Sequence, residues 1–399
     1  MASSVTPSGV TGIPALPITG YALCNCLGVT VERVRSLLFE GQSGLGPSPL
    51  PVPFPTVVGA VDTQLPQLPA ALRPWSTRTA QLAALLIEQL DAPLARLRSR
   101  VRPERIAVVL GTSTVGADVT ESAFRHFIEQ GALPADYDLW RHHTFGALLH
   151  VVTELIGAKG PAWVVSTACT SSAKPLATAQ RLIAADLADA AVVGGIDTLC
   201  SMTLRGFFSL DSLSAKACRP WSKLRDGINI GEGGALLVLE RGGDAVALLE
   251  AVGESSDAYH ISAPHPQGVG ARLAMQRALE QAGVTPGDVD YVNAHGTGTR
   301  LNDSAEAQAI GSLLGLEVPV VSTKGYTGHM LGAAGASEAV FTLLSLRDGF
   351  VPASLGADPI DDAIKLNIPL TRLQGRYRRG LSNSFAFGGN NVSVLLRSV

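Results

Sequence analysis

Short apolar, β-branched runs alternate along this chain with longer stretches whose apolar residues recur at helical spacing. Ile18 to Leu27 predicts a strand entering a turn, and Val31 to Phe39 has helical spacing. Gly41 to Pro69 is rich in Pro, Gly and Ser, which predicts an ordered surface loop. Leu82, Leu85, Leu86, Leu90, Leu94 and Leu97 predict one helix from Ser76 to Leu97, and Trp140 to Ile156 predicts a second. Ile106 to Leu110, Trp163 to Ser166, Ala190 to Gly194 and Ala235 to Leu239 read as buried strands, with a helix from Pro175 to Ala188 between the second and third. Strands alternating with helices predict α/β layers and largely parallel sheets.

The second half repeats the first. Val318 to Ser322 runs into Thr323-Lys324, as Trp163 to Ser166 runs into Thr167-Ala168-Cys169. Gly233-Gly234 and Gly388-Gly389 each precede an apolar strand. The interval from Ser166 to Gly233 is 67 positions and that from Ser322 to Gly388 is 66, which predicts an internal duplication. The expected organisation is a loose N-terminal tail over 1–16, a first half over 17–250 and a second half over 251–399.

Composition narrows the function classes. With 46% hydrophobic and 16% charged residues in 399, the chain carries a large core. A net charge of −3 gives no general field to recruit nucleic acid, so an acidic partner must meet a local basic patch. Five cysteines, an odd number, lack the spacing of a disulfide framework and predict a reducing, cytoplasmic setting. Cys24 and Cys26 are too close for a Cys-x-x-Cys pair. No apolar run approaches the roughly 18 residues of a membrane span. Met1 to Ala15 lacks the basic start and apolar stretch of a secretion signal.

Candidate chemistry gathers at predicted strand ends, where α/β sheets place their ligands. Cys169 falls at a sharp strand-to-helix junction, where the positive end of a helix is expected to favour thiolate. Its neighbours Ala168, Thr170, Ser171 and Ser172 are small enough to admit a carbonyl group. The alternative is a small buried core residue, as most free cysteines are. His295 lies in Asn293-Ala-His-Gly-Thr-Gly-Thr299, and His329 ends Lys324-Gly-Tyr-Thr-Gly-His. Another such loop is Ser382 to Gly389.

Together these pieces are specific. Ser166-Thr-Ala-Cys169, Arg225-Asp-Gly227 with Gly231-Glu-Gly233, Asn293 to Thr299, Lys324 to His329 with Gly332-Ala-Ala-Gly335, and Leu381 to Phe385 resemble the β-ketoacyl-[acyl carrier protein] synthases of the thiolase superfamily. The matching pieces run in the family's order from about residue 18 to the C-terminus. The resemblance is to the Cys-His-His branch, because no cysteine follows Cys218 and His329 stands where other branches carry asparagine.

The resemblance implies a duplicated, five-layered α-β-α-β-α thiolase-like fold. It implies decarboxylative condensation of malonyl-carrier with an acyl chain held on Cys169, helped by His295, His329, Lys324 and Glu338. Backbone N–H groups of Cys169 and Phe387 are expected to form the oxyanion hole. Thr297, Thr299, Phe385, Phe387 and Thr114 are expected to contact substrate, with Phe387 as a gate and Thr114 limiting the acyl tail. Asp226 and Glu232 are expected to be structural.

No cofactor or metal is implied, since substrates ride on the phosphopantetheine of an acyl carrier protein. Arg73, Arg78, Arg125 and Arg205 are candidates for meeting that acidic partner. A homodimer or heterodimer is expected, with the Ala190–Gly194 strand at its interface. Two positions depart from the family pattern: Ala386 stands where glycine is usual and Asn390 replaces a threonine. The condensation is expected to serve type II fatty-acid synthesis or specialised polyketide or polyene synthesis, and these departures, with Thr114, fit the specialised product. Two other readings remain: a subunit acting only beside a nucleophile-less, chain-length-factor-like sister, and an unrelated cysteine hydrolase.

Overall fold

In a computed structural model that describes residues 13–399, ten strands form one sheet. They are β1 (Leu16–Cys24), β2 (Ile106–Gly111), β3 (Ala162–Val165), β4 (Ala190–Asp197), β5 (Gly233–Glu240), β6 (Ala247–Ser256), β7 (Tyr291–Asn293), β8 (Val320–Val321), β9 (Arg379–Phe385) and β10 (Asn390–Arg397). The order across the sheet is β8-β7-β9-β10-β6-β1-β5-β4-β2-β3.

That order is the same five-strand plan written twice. In each half the first strand pairs antiparallel with the fifth and the fifth antiparallel with the fourth; the fourth, second and third then run parallel. The halves meet antiparallel where Leu16–Ile18 pairs with Ala247–Leu249. The duplication expected from two landmark intervals is therefore a property of the fold. The expected boundary between residues 250 and 251 falls inside β6, the first strand of the second half. The expected tail lies mostly outside the described residues, and Leu16 is already in β1.

Alternation along the strands builds the layers. Ile106, Val108 and Leu110 face one cluster with α2 (Arg78–Gln89) and α3 (Phe145–Ile156), while Ala107 and Val109 face the opposite side. There α1 (Val31–Glu40), α4 (Lys174–Ala184) and α7 (Ala334–Asp348) share one apolar cluster, and Val392, Val394 and Leu396 of the second half close over it. On the far face, α5 (Val269–Ala282) and α6 (Arg300–Leu314) cover Val292, Leu381 and Leu395. The result is helices, half-sheet, helices, half-sheet, helices.

Some expectations need correcting. The predicted helix from Ser76 to Leu97 is two, α2 and Asp91–Arg100, since Pro93 lacks an N–H and fits only a first turn. Trp140–Ile156 likewise breaks at His143, before Thr144 caps α3. The 41–69 loop holds a two-residue strand pair, Gly46–Pro47 with Val57–Val58. Helix Ala117–Gln130 was not foreseen. The expected interface strand, Ala190–Asp197, lies inside the sheet with all eight residues buried. The strand with an unpaired edge at that end of the sheet is β3, where Trp163 is exposed.

Candidate active site

The candidate nucleophile, Cys169, sits on a turn that its neighbouring side chains fasten. β3 ends at Val165 and α4 begins at Lys174. Between them Ala168 adopts a left-handed φ of 53°, which costs a non-glycine residue about 1–3 kcal/mol and persists only where neighbours impose it. Ser171 imposes it: its Oγ accepts the Thr167 N–H at 2.9 Å and donates to the Ala168 carbonyl at 2.6 Å. Gly111 lets the turn approach β2, because a Cβ there would lie 2.2 Å from the Ser171 backbone. Across the duplication, the Ser172 N–H donates to the Gly332 carbonyl at 2.9 Å, and the Ala336 N–H to Ser172 Oγ at 2.9 Å.

This turn brings Cys169 Sγ within 3.0 Å of His329 Nε2. The rings of His329 and His295 stand edge to face with centroids 5.2 Å apart. Both rings have a fixed tautomer. The Leu331 N–H donates to His329 Nδ1 at 3.1 Å, so the ring proton is on Nε2. Lys324 Nζ lies 3.4 Å from His295 Nδ1, and an ammonium only donates, so that proton too is on Nε2. Burial first, then the Lys324 charge, hold both histidines well below the ordinary imidazole range; His329 further lowers His295. Two neutral imidazoles thus aim Nε2–H at the space beside the sulfur.

Lys324 is tied by Glu338, whose Oε1 is 2.5 Å from Nζ, both groups being buried. Burial pushes the Glu338 carboxyl up, and the Lys324 charge opposes it.

The expected helix-lowered thiol is not found. Burial pushes Cys169 up to about 11, and the Lys324 charge only partly offsets this. The spacing matters too: four residues, 170–173, lie between Cys169 and the first residue of α4, so the helix terminus is not at the thiol. Backbone N–H groups of Cys169 and Phe387 do reach the sulfur, where an oxyanion hole was expected.

These groups lie in a cleft of about 530 Å³. Thr297, Thr299, Phe385 and Phe387 line it, as expected of substrate contacts. Thr297 and Thr299 hydroxyls are 2.9 Å apart. Phe385 is buried against His295, whereas Phe387 is 42% exposed, as a gate would be. Ala386 and Asn390 close the gate loop through an N–H to carbonyl bond of 2.8 Å.

Thr114 does not line the cleft. Its N–H and Oγ1 both donate to Asp197 Oδ1 at 2.8 Å. Arg73, Arg78, Arg125 and Arg205 do not line it either. Arg78 is held by buried Glu232, which also accepts the Val61 and Leu199 N–H groups, so Glu232 is structural as expected. Asp226 is exposed on the cleft wall.

Three supporting carboxylates were missed. Glu306 accepts the N–H groups of His295 at 2.8 Å and Gly296 at 2.7 Å; burial pushes it up to about 7. Asp303 takes the Gly298 and Trp221 N–H groups. Asp197 gathers donors from Thr112, Ser113, Thr114 and Ala333. An i, i+3 acid pair opening a helix after Gly-Thr-Gly-Thr was the available signal for the first two.

The ligand atoms of Cys169, His295 and His329 lie within 4.8 Å of one another, close enough to bind a metal ion. The surroundings do not suit one. A metal on Nε2 needs the proton on Nδ1, and both Nδ1 atoms face donors.

Comparison with known proteins agrees with this geometry. Residues 15–245 match the profile of the beta-ketoacyl synthase N-terminal domain, and residues 246–358 that of its C-terminal domain. The chain belongs to the beta-ketoacyl synthase family.

Within that family it is 32% identical to the 3-oxoacyl-[acyl-carrier-protein] synthase 2 of Vibrio harveyi, over 96% of this chain and 98% of that one. It is 33% identical to the enzyme of the same name from Mycobacterium bovis, with the same coverage. Among solved structures it is similar to a ketosynthase (ApeO) in complex with its chain length factor (ApeC) from Xenorhabdus doucetiae. That match has 37% identity and a TM-score of 0.92, covering 99% of this chain and 100% of that one. The ishigamide ketosynthase/chain length factor matches at 26% identity and a TM-score of 0.88, covering 97% and 99%. No described helix is long and apolar enough to cross a membrane.

Proposed function

We propose that this chain is an elongating β-ketoacyl-carrier synthase that joins a malonyl unit to an acyl group held on Cys169. The observation that carries the reading is the pair of Nε2–H donors beside the only thiol lining the cleft among the described residues.

In the first step Cys169 Sγ attacks the thioester of an acyl carrier. A sulfur–acyl bond forms, the carrier thiolate leaves, and it takes the proton given up by Cys169. His329 Nε2–H stabilises charge on sulfur as it develops. In the second step malonyl-carrier enters, and His295 and His329 donate to its thioester oxygen. The bond to the carboxylate breaks, CO₂ departs, and the electron pair is held as an enolate.

In the third step the enolate carbon attacks the acyl-Cys169 carbonyl. The Cys169 and Phe387 N–H groups receive the oxyanion, which collapses to expel Cys169 thiolate and leave a 3-oxoacyl carrier. The thiolate then regains a proton from water. Lys324, tied by Glu338, keeps His295 in its donating tautomer. The chain needs no cofactor of its own for these steps. Its five free thiols suit the cytoplasm.

A second reading has a specific support: the chain works beside a chain-length-factor-like sister. Two similar structures are of such pairs, and the unpaired edge of β3 lies next to the nucleophile turn.

Peptide mapping after incubation with an acyl carrier tests the reading. The acyl group is expected on Cys169, and Cys169→Ala should carry none. Cys169→Gln should still release CO₂ from malonyl-carrier. A label on Cys24 or Cys200 instead overturns the assignment.

A further inference from the structure

The segment that carries His295 runs on along the cleft wall and changes character as it goes. His295 and Thr297 are buried, Thr299 is half-buried, and Arg300, the first residue of α6, is exposed. All four line the cleft. A single stretch therefore reaches from the reacting sulfur to the rim, and it ends in a guanidinium.

That guanidinium is distinctive. Arg225 also lines the cleft, but it is buried and bound to Asp361 at 2.6 Å, to the Ser222 carbonyl at 2.8 Å and to Ser304 at 3.2 Å. Arg300 is the one arginine or lysine of the cleft lining that makes no direct ion pair or hydrogen bond with other described residues; its charge reaches the Asp361 carboxylate, which Arg225 already holds. Nor does a general positive field surround it, since Asp211 and Asp226 line the cleft too. An anion at the rim must be met by this side chain.

We propose that Arg300 grips the phosphodiester of the carrier's phosphopantetheine arm, and this rests on the condensing reading above. The thiol end of the arm must reach Cys169, while its two amides pass the Thr297 and Thr299 hydroxyls. Its phosphate then emerges where Arg300 begins α6. A guanidinium suits that group because two parallel N–H donors match two phosphate oxygens.

The test compares three malonyl donors with the acylated enzyme, together with its sister subunit if activity requires one. They are malonyl-carrier, malonyl-phosphopantetheine without protein, and malonyl-pantetheine without phosphate. Arg300→Ala is expected to raise KM about tenfold or more for the first two, the loss of one charge-assisted contact, with kcat within about twofold. For malonyl-pantetheine, KM should stay as in the wild type. Arg300→Lys should restore part of the KM, and Arg300→Glu should worsen it.

Equal losses with all three donors, or none with any, overturn the proposal. A loss confined to malonyl-carrier also overturns it, by placing the contact on the carrier's protein surface. Wild-type enzyme that elongates none of the three refutes the condensing reading itself, which is a separate outcome.

Discussion

Cys169 and its two histidines are tuned in opposite directions by the same burial, and each shift has a sign that can be measured. The thiol is raised to about 11, so the thiolate fraction grows about tenfold per pH unit below that value. Alkylation of Cys169 by iodoacetamide should therefore keep rising from pH 7 to pH 9; a plateau near pH 7 would show a thiol lowered by its surroundings.

The histidine shifts are downward, so protonation of either ring waits for a pH well under 6.5. Decarboxylation by Cys169→Gln should stay flat between pH 8 and pH 6, whereas a fall by half near 6.5 would mark an ordinary imidazole. That Cys169, His295 and His329 come together was legible in the sequence, because each sits in a small-residue loop at a strand end. Their ionisation was not, because it depends on how deeply the rest of the chain buries them. Nor could the sequence show that Asp197 captures the Thr114 hydroxyl.

Among the elements, what holds the site is a set of junctions between halves. Asp197, at the end of β4, ties the 112–114 loop to the Gly332–Ala333 turn that follows His329. Asp197→Ala leaves several buried N–H groups without an acceptor, and should cost about 3 kcal/mol or more of stability in denaturant unfolding. An unchanged midpoint would mean that the junction carries no weight.

Buried strands such as β2 and β4 were legible because they are short apolar runs. Helix Ala117–Gln130 was overlooked although Val119, Ala123, Phe127 and Ile128 keep helical spacing; Phe127 and Ile128 turn out exposed. The single helix expected over Ser76 to Leu97 failed at Pro93, whose apolar neighbours keep the rhythm while its backbone ends it. Strand β6 was overlooked because its later residues, Gly253 to Ser256, look like loop.

At the scale of the whole molecule, one five-strand plan occurs twice, and each copy supplies part of the chemistry: the first the sulfur, the second both imidazoles. Landmark spacing alone disclosed the repeat, but not that α4 and α7 become the shared middle layer. The free edge lies on β3, rather than on the expected β4, and offers the place where a second chain would extend the sheet. Trp163→Lys on that edge should shift the species seen by native mass spectrometry toward single chains; an unchanged distribution would place the partner elsewhere.

Acyl transfer to the sulfur and decarboxylation by the imidazoles can be separated in one experiment. Wild type, His295→Ala and His329→Ala should be incubated with acyl-carrier and malonyl-carrier, recording the acyl adduct on Cys169 and CO₂ release from the same samples. All three proteins should carry the adduct, while each histidine variant releases CO₂ roughly 100-fold more slowly, as expected for one lost charge-stabilising donor. CO₂ release at the wild-type rate from either variant would contradict the donor role of that imidazole.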